Sequence, residues 1–260
     1  FDGWIETAAV RAKPSPADFE LTGQADELAS VRWFVTGATD ELLSQPALQH
    51  LGVRERNALY AARLVRFLDD TALTEHRIVN VAAQVIAENR LRAYVPEPLA
   101  LDALKLYTDE GYHAWFTARA CQAIRVVFAI PASEDEPSAK IAGLEALAAQ
   151  APPAWRDLTW FMIGFVAETM VTKAIVDVMR NSAQSAIQRM LLVHLEDEWV
   201  HAKYFAQLFR LIWPGLDADA RRHFGQLLPR IMAAFHVHDE PFLRRILAHA
   251  GLDAAACNKA

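Results

Sequence analysis

The sequence has few of the residues that cross-link or interrupt a chain. Only two cysteines, Cys121 and Cys257, occur among 260 residues, which is too few for a disulfide-dependent scaffold. Glycine is scarce at 10 residues, and no segment shows the apolar–polar alternation between turns that is typical of half-buried strands. Ala, Leu, Glu and Arg dominate the segments between the prolines, and these residues favour helices, so we expect an all-α fold.

Two further absences concern partners and location. The formal net charge is −6 and no basic stripe is visible, so nucleic acid is not an expected partner. There is no secretory signal and no run of ~18 apolar residues, so we expect a soluble, cytoplasmic protein without a membrane span. Because no repeat or linker interrupts the pattern, residues 1–260 are interpreted as a single domain.

The prolines of the chain separate segments that have helical periodicity. The first residues, Phe1–Thr22, are expected to form an arm or loop, and two or three short helices are expected near the end, up to about His249. A kink is expected at Asp69–Thr71, within the predicted helix Val53–Leu91. Pro214 and Gly215 should stop the last long helix. The predicted helices are Asp26–Leu43, Val53–Leu91, Leu99–Ala129, Ile141–Ala149, Trp155–Arg180 and Ser182–Trp213.

One motif occurs twice, each time inside a predicted long helix. Residues 109–113 read Asp-Glu-Gly-Tyr-His and residues 197–201 read Asp-Glu-Trp-Val-His, so both fit Asp-Glu-x-x-His. A Glu and a His three positions apart lie on one helix face, with Cβ atoms ~5–6 Å apart. One helix can therefore offer a metal ion both a carboxylate and an imidazole. A single Glu-x-x-His is weak evidence, whereas two copies on separate long helices indicate a metal site.

A carboxylate-bridged di-iron bundle also needs one Glu from each of two further helices. Glu75 precedes Glu110 by the distance expected for antiparallel helices joined by a short turn. Glu168 follows the apolar segment Phe161–Ala167, where an unpaired buried carboxylate would be costly. A metal ion would remove that cost. We therefore interpret Glu168 as a ligand, the alternative being a solvated or ion-paired position.

Three more candidates lie on the same two helices: one histidine outside the motifs and the aspartate of each motif. His194 lies one turn before Glu198 and so shares a face with Glu198 and His201, which makes it a candidate seventh ligand rather than a core histidine. Metal-bound histidine commonly donates its other N–H to a carboxylate. We therefore expect Asp109 and Asp197 to orient the histidine of the facing helix, the alternative being two solvated aspartates.

Other candidates are set aside. His76 adjoins Glu75 and should point away from it, Cys121 should lie in the core, and the short tract containing His236 and His238 lies outside the bundle. The tyrosines Tyr107 and Tyr112 are expected to pack in the core or behind the site. The core is also expected to hold several other aromatic residues, namely Trp115, Phe116, Trp160, Phe161, Phe165 and Trp199.

The candidate ligands together resemble those of the p-aminobenzoate N-oxygenase family of di-iron enzymes. The extra histidine, His194, separates that family from ribonucleotide reductase small subunits and ferritins. The resemblance covers roughly residues 50 to 215 and implies a ferritin-like four-helix bundle with additional flanking helices. It is carried by Glu75, Glu110, His113, Glu168, His194, Glu198 and His201.

The resemblance also implies chemistry and partners. We expect two iron ions, with manganese as the alternative because oxygen and imidazole ligands suit both metals. O₂ would be activated there, and a primary amine would be oxidised to hydroxylamine and then to nitroso or nitro products in secondary metabolite biosynthesis. An external electron donor is implied, and a homodimer is left open. The substrate stays open between an aryl amine, an aliphatic amine and an amino-acid derivative.

Three alternative functions compete with amine oxidation. The first is a di-metal oxygenase that acts on carbon, and the second is an iron-binding protein that oxidises or stores iron. The third is a helical structural protein without a metal, which would require the ligand spacing to arise by chance. Because one fold hosts many functions, the fold cannot decide among them. Metal analysis and reaction with O₂ against a panel of amines would discriminate.

Overall fold

The computed structural model describes residues 1, 3–11, 41–130, 138–181, 185–237 and 239–249. Over these residues there is no strand, which confirms the all-α prediction. A π-helical segment, Glu75–Val79, joins α2 to α3, and short 3-10 turns precede α2 and α6. The helices are α1 Trp4–Thr7, α2 Val53–Thr74, α3 Asn80–Ala87, α4 Glu97–Phe128, α5 Ala139–Ala149, α6 Arg156–Asn181, α7 Ser185–Gly215, α8 Ala218–Ala234 and α9 Glu240–His249.

A four-helix bundle forms the centre of the structure. The continuous stretch from α2 through α3 packs along α4, and α6 packs along α7. Helix α3 also packs against α6 and joins the two pairs, whereas α4 and α7 meet over a shorter stretch. Helices α5 and α8 flank the bundle, and α9 contacts α2. The architecture is the predicted ferritin-like bundle with additional helices.

The interior of the bundle has a polar layer between two apolar layers. On α4, the fully buried Leu106 lies in one apolar cluster and the fully buried Phe116 in the other. On α6, Ala167 and Val171 belong to the two clusters in the same way. Burial of these apolar side chains stabilises the helices on both sides. The residues between them are therefore held far from solvent, including the buried Glu168.

The predicted kink at Asp69–Thr71 is wrong, because helix α2 continues unbroken to Thr74. The two aspartates do not disrupt the helix, since Asp69 pairs with Arg125 of α4 and Asp70 lies 3.7 Å from Arg66 one turn earlier. The irregularity begins instead at Glu75, the first residue of the π segment. A π turn inserts an extra residue into a helix, and such turns frequently occur at functional sites.

Helices α3 and α6 approach closely at Gly164. A Cβ atom on this residue would lie 2.5 Å from the Cβ of Ala82 and 3.1 Å from the ring of Phe205. These separations are shorter than van der Waals contact, so no larger side chain fits without moving a helix. Glycine at this position therefore determines how closely α6 packs against α3, one turn from the buried Glu168.

Several local predictions need correction. Residues 4–7 form a short helix rather than an arm or loop, and Trp115 and Trp199 are about half exposed instead of in the core. The helix predicted to reach Leu91 ends at Ala87, while α7 runs through Pro214 to Gly215. Most of the predicted helix Asp26–Leu43 lies outside the described residues.

None of the helices in the described ranges is long and apolar enough to cross a bilayer.

Candidate metal centre

All four bundle helices contribute to one cluster of buried carboxylates and imidazoles. The π segment supplies one residue, α4 two, α6 one and α7 three, and each side chain is at most 1% exposed. The structure thus brings together every candidate ligand named from the sequence. They are Glu75, Glu110, His113, Glu168, His194, Glu198 and His201.

One part of the cluster is centred on His194. Its Nε2 atom lies 2.7 Å from Oε1 of Glu75 and 3.2 Å from Oε1 of Glu198. The His113 ring is close by, with its centroid 4.2 Å from that of His194. One potential ligand atom from each of these four residues lies within 4.8 Å of the other three, which is close enough to hold one metal ion.

A second group surrounds His201. Its Nδ1 atom lies 2.6 Å from Oε1 of Glu110, 3.7 Å from Oε1 of Glu198 and 4.0 Å from Oε2 of Glu168. Glu110, His113, Glu198 and His201 form a second set of potential ligands within 4.8 Å. Because the two sets share His113 and Glu198, the cluster suits two adjacent ions rather than a single one.

Most donor atoms of the cluster form no hydrogen bond. Both carboxylate oxygens of Glu75 and of Glu110, and the Nδ1 atoms of His113 and His201, are buried without a hydrogen bond of acceptable geometry. Leaving a buried polar group unsatisfied costs about 1–3 kcal/mol. Lone pairs that converge in this way fit a metal cation, and oxygen donors with imidazole and no thiolate fit iron or manganese.

The two histidines of the motifs each contact an aspartate of the facing helix. Asp197 Oδ2 of α7 lies 3.1 Å from Nε2 of His113, and Asp109 Oδ2 of α4 lies 3.2 Å from Nε2 of His201. A carboxylate at Nε2 favours the tautomer in which this nitrogen carries the proton. The Nδ1 lone pair of each ring is then directed toward the cluster.

The comparison with protein families agrees with this geometry. The family model described as p-aminobenzoate N-oxygenase AurF matches residues 13–256. The chain belongs to the AurF family. Comparison with curated proteins found no match. Membership implies a di-iron N-oxygenase, and the buried histidine and glutamate cluster of this AurF-family chain fits a metal site.

Burial raises the pKa values of two carboxyl groups in this AurF-family centre. Burial raises the pKa of Glu75 to about 7, although His194 opposes the rise. Burial and the neighbouring Glu198 and Glu110 raise the pKa of Glu168 well above its usual value. Without a cation, burial therefore shifts both side chains toward the neutral form. A metal cation would instead favour the charged carboxylates.

Burial opposes protonation of His201 and His113, but the surrounding carboxylates raise the pKa of both rings well above the ordinary value. Glu110 and Asp109 have this effect on His201, and Asp197 and Glu110 have it on His113. The metal-free cluster thus attracts protons, and a bound cation would compete with them for the same lone pairs.

Sequence reasoning missed the contribution of the N-terminal residues. The indole Nε1–H of Trp4 donates to Asp109 Oδ2 at 2.7 Å, and the backbone N–H of Ala9 donates to Asp197 Oδ2 at 2.9 Å. The ring of Phe1 packs beside that of His201 at a tilt of 38°, with their centroids 5.9 Å apart. The available signal was the pair of aromatic residues, Phe1 and Trp4, three positions apart in a supposed arm.

The residues set aside from the sequence are not part of the cluster where the structure describes them. His76 is exposed, and His236 is exposed with its Nδ1 atom 2.9 Å from the carbonyl oxygen of Met232. Cys121 is buried in the apolar layer, where burial raises the pKa of its thiol. Tyr107 is exposed. His238 lies outside the described residues.

Proposed function

We propose that the protein is a non-haem di-iron monooxygenase that uses O₂ to oxidise a primary amine to hydroxylamine, and further to nitroso or nitro products. The observation that carries the proposal is His194, a buried imidazole in a cluster that also contains the six ligands of an ordinary di-iron bundle. Membership of the AurF family supports the same reaction.

The distances indicate which residues would bind each of two ions. Glu75 and His194, whose Oε1 and Nε2 atoms are 2.7 Å apart, would hold one ion together with His113. His201 and Glu168 would hold the other. Two carboxylates lie near both groups, and each is close to the Nδ1 atoms of both motif histidines, so each could serve as a ligand to either ion. These are Glu110 and Glu198.

The protein side chains have separate tasks in this reaction. Bound iron would supply the reduction of O₂ and the transfer of one oxygen atom to the amine nitrogen. The first step also consumes two electrons and two protons, which yield water from the second oxygen atom, so an external reductant is needed. Asp109 and Asp197 hold the protons on Nε2 of the two histidines, and the apolar layers exclude bulk water.

The test is reconstitution with iron and reaction with amines. The metal-free chain is loaded anaerobically with Fe²⁺, reduced, and mixed with ¹⁸O₂ and a panel of aryl amines, aliphatic amines and amino acids. We expect two irons per chain and ¹⁸O on the nitrogen of a product detected by mass spectrometry. A matched control, Glu196→Gln, alters an exposed carboxylate on α7 and should behave like the unmodified chain.

Other results would select the alternatives. Oxygen found only on carbon would indicate a carbon oxygenase, and oxidised iron that accumulates without an organic product would indicate a ferroxidase. A preparation that binds a single metal, or zinc alone, would refute the di-iron centre. His201→Ala removes a proposed ligand, so it should lose both metal content and product, whereas Glu196→Gln should lose neither.

A further inference from the structure

Residues 3–9 cross the side of the bundle where α4 and α7 carry the two aspartate–histidine contacts. Asp109 Oδ2 receives the Trp4 indole N–H at 2.7 Å and lies 3.2 Å from His201 Nε2. Asp197 Oδ2 receives the Ala9 backbone N–H at 2.9 Å and lies 3.1 Å from His113 Nε2. Each of these two oxygens is therefore shared between the N-terminal segment and a histidine of the facing helix.

The two aspartates and Ala9 are buried and Trp4 is half-buried, and the segment spans two helices that otherwise meet over a short stretch. Asp109 is 1% exposed and Ala9 is 1% exposed, so water does not compete freely for their hydrogen bonds. The terminal torsion of an aspartate is broad, and a single contact with histidine leaves the carboxylate plane poorly fixed. A second donor from a fixed direction selects which oxygen faces the ring. Trp4 and the amide of Ala9 are those second donors.

We infer that residues 3–9 form an N-terminal clamp that positions both motif histidines for metal binding. Trp4 acts through Asp109 on His201, and the amide of Ala9 acts through Asp197 on His113. The inference rests on the metal centre of the proposed function. Trp4 and Ala9 are positioning residues, because they act on the histidines through the aspartates.

A cavity beneath the clamp indicates how removal of the Trp4 N–H would affect Asp109. A cavity of about 20 Å³ lies between the segment and the helices, lined in part by Trp4, Ala8, Asp109 and His201. That volume accommodates about one water molecule. If the indole N–H were removed, water at this position would become the second donor to Asp109. A mobile water does not fix the carboxylate plane, so His201 would lose part of its orientation.

The first experiment is Trp4→Phe, which removes the N–H and keeps an aromatic ring. Co²⁺ is titrated into the metal-free chain, and binding is followed by the ligand-field absorption of the bound ion. Changes to residues that orient metal ligands typically weaken binding 10–100-fold. Because Trp4 acts one contact further away, we expect a loss of roughly tenfold together with a shifted absorption spectrum. A purely structural role would not move the spectrum.

The matched control is Trp155→Phe, the same substitution elsewhere in the fold. Trp155 packs against His223, with ring centroids 4.6 Å apart, and against Phe224. Its replacement should leave Co²⁺ affinity and the spectrum unchanged. If both variants weakened Co²⁺ binding equally and left the spectrum unaltered, the loss would reflect general destabilisation and the clamp would be refuted.

The second experiment uses the unmodified chain and so does not depend on how a variant folds. Coupling between two sites is reciprocal, so a clamp that strengthens Co²⁺ binding must itself be stabilised by Co²⁺ to the same extent. Hydrogen exchange of the Ala9 amide should therefore slow by roughly tenfold when Co²⁺ is added. Unchanged exchange, with Co²⁺ bound, would overturn the clamp and leave the proposed function standing. A chain that binds no Co²⁺ would overturn both.

Discussion

Glu75→Gln should stabilise the metal-free protein at alkaline pH while weakening its metal centre. Burial raises the pKa of this carboxyl group from its usual 4.5 to about 7 in the folded state. Since the folded pKa is the higher one, the associated stability is present below about pH 4.5 and is lost as the pH rises through about 7. A rise of that size corresponds to about 3 kcal/mol. Glutamine has nearly the same shape and cannot ionise.

The assay is thermal unfolding with and without metal. A change of 1 kcal/mol shifts Tm by about 2–4 °C in a chain of this size, so Glu75→Gln should raise the metal-free Tm by about 6–12 °C at about pH 8. At about pH 5 the carboxyl group is mostly neutral in the folded protein and the variant should differ little. With Co²⁺ the order should reverse, because glutamine is a weaker ligand than a carboxylate. Glu196→Gln, at an exposed position on α7, is the control.

Two results would refute this reasoning. If Glu75→Gln lowered the metal-free Tm at alkaline pH, the carboxylate would be stabilising the fold by itself, and the energetic argument for a cation beside it would fail. If the variant lost stability between about pH 5 and about pH 8 as steeply as the unmodified chain, Glu75 would not be the titrating group. A variant that binds Co²⁺ as tightly as the unmodified chain would remove Glu75 from the proposed ligands.

Two further predictions concern α7 and α6. His194→Ala should retain two metals per chain, because six ligands remain, but it should change the absorption spectrum of the Co²⁺-loaded protein and reduce amine oxidation. An unchanged spectrum and product yield would make His194 a core histidine. Gly164→Ala should lower the free energy of unfolding by about 1–3 kcal/mol, since its Cβ would lie 2.5 Å from that of Ala82. Denaturant unfolding measures this change, and a variant as stable as the unmodified chain would contradict the close approach of α3 and α6.

Much of the candidate site could be predicted from the sequence because most of its residues lie only a few positions from another candidate on the same helix. Glu110 and His113 share a face of α4 through helical geometry alone, and the same holds for His194, Glu198 and His201 on α7. Glu168 could be named because a carboxylate within an apolar segment needs a compensating partner. These arguments use only the period of a helix and the cost of burying charge, so they hold before any tertiary contact is known.

Other features depended on contacts between residues distant in the sequence. Helix α2 continues past Asp69, which pairs with Arg125 of α4. Trp115 and Trp199 are exposed because other faces of their helices point into the bundle. Composition alone cannot show which of two apolar faces of one helix will be buried. The π turn at Glu75 likewise shows no sequence signal, since its hydrogen bonds depend on how the neighbouring helices pack.

The sequence by itself determined the helical class, the helix periods and the residue types of the candidate ligands, because each follows from interactions within a few residues. Only the tertiary structure decided which aspartate meets which histidine, with Asp197 contacting His113 and Asp109 contacting His201 across the bundle. It also placed Trp4 within hydrogen-bonding distance of Asp109, although 105 positions separate them. A hydrogen bond depends on distance and angle in space, and at such separations these are set by the packing of whole helices.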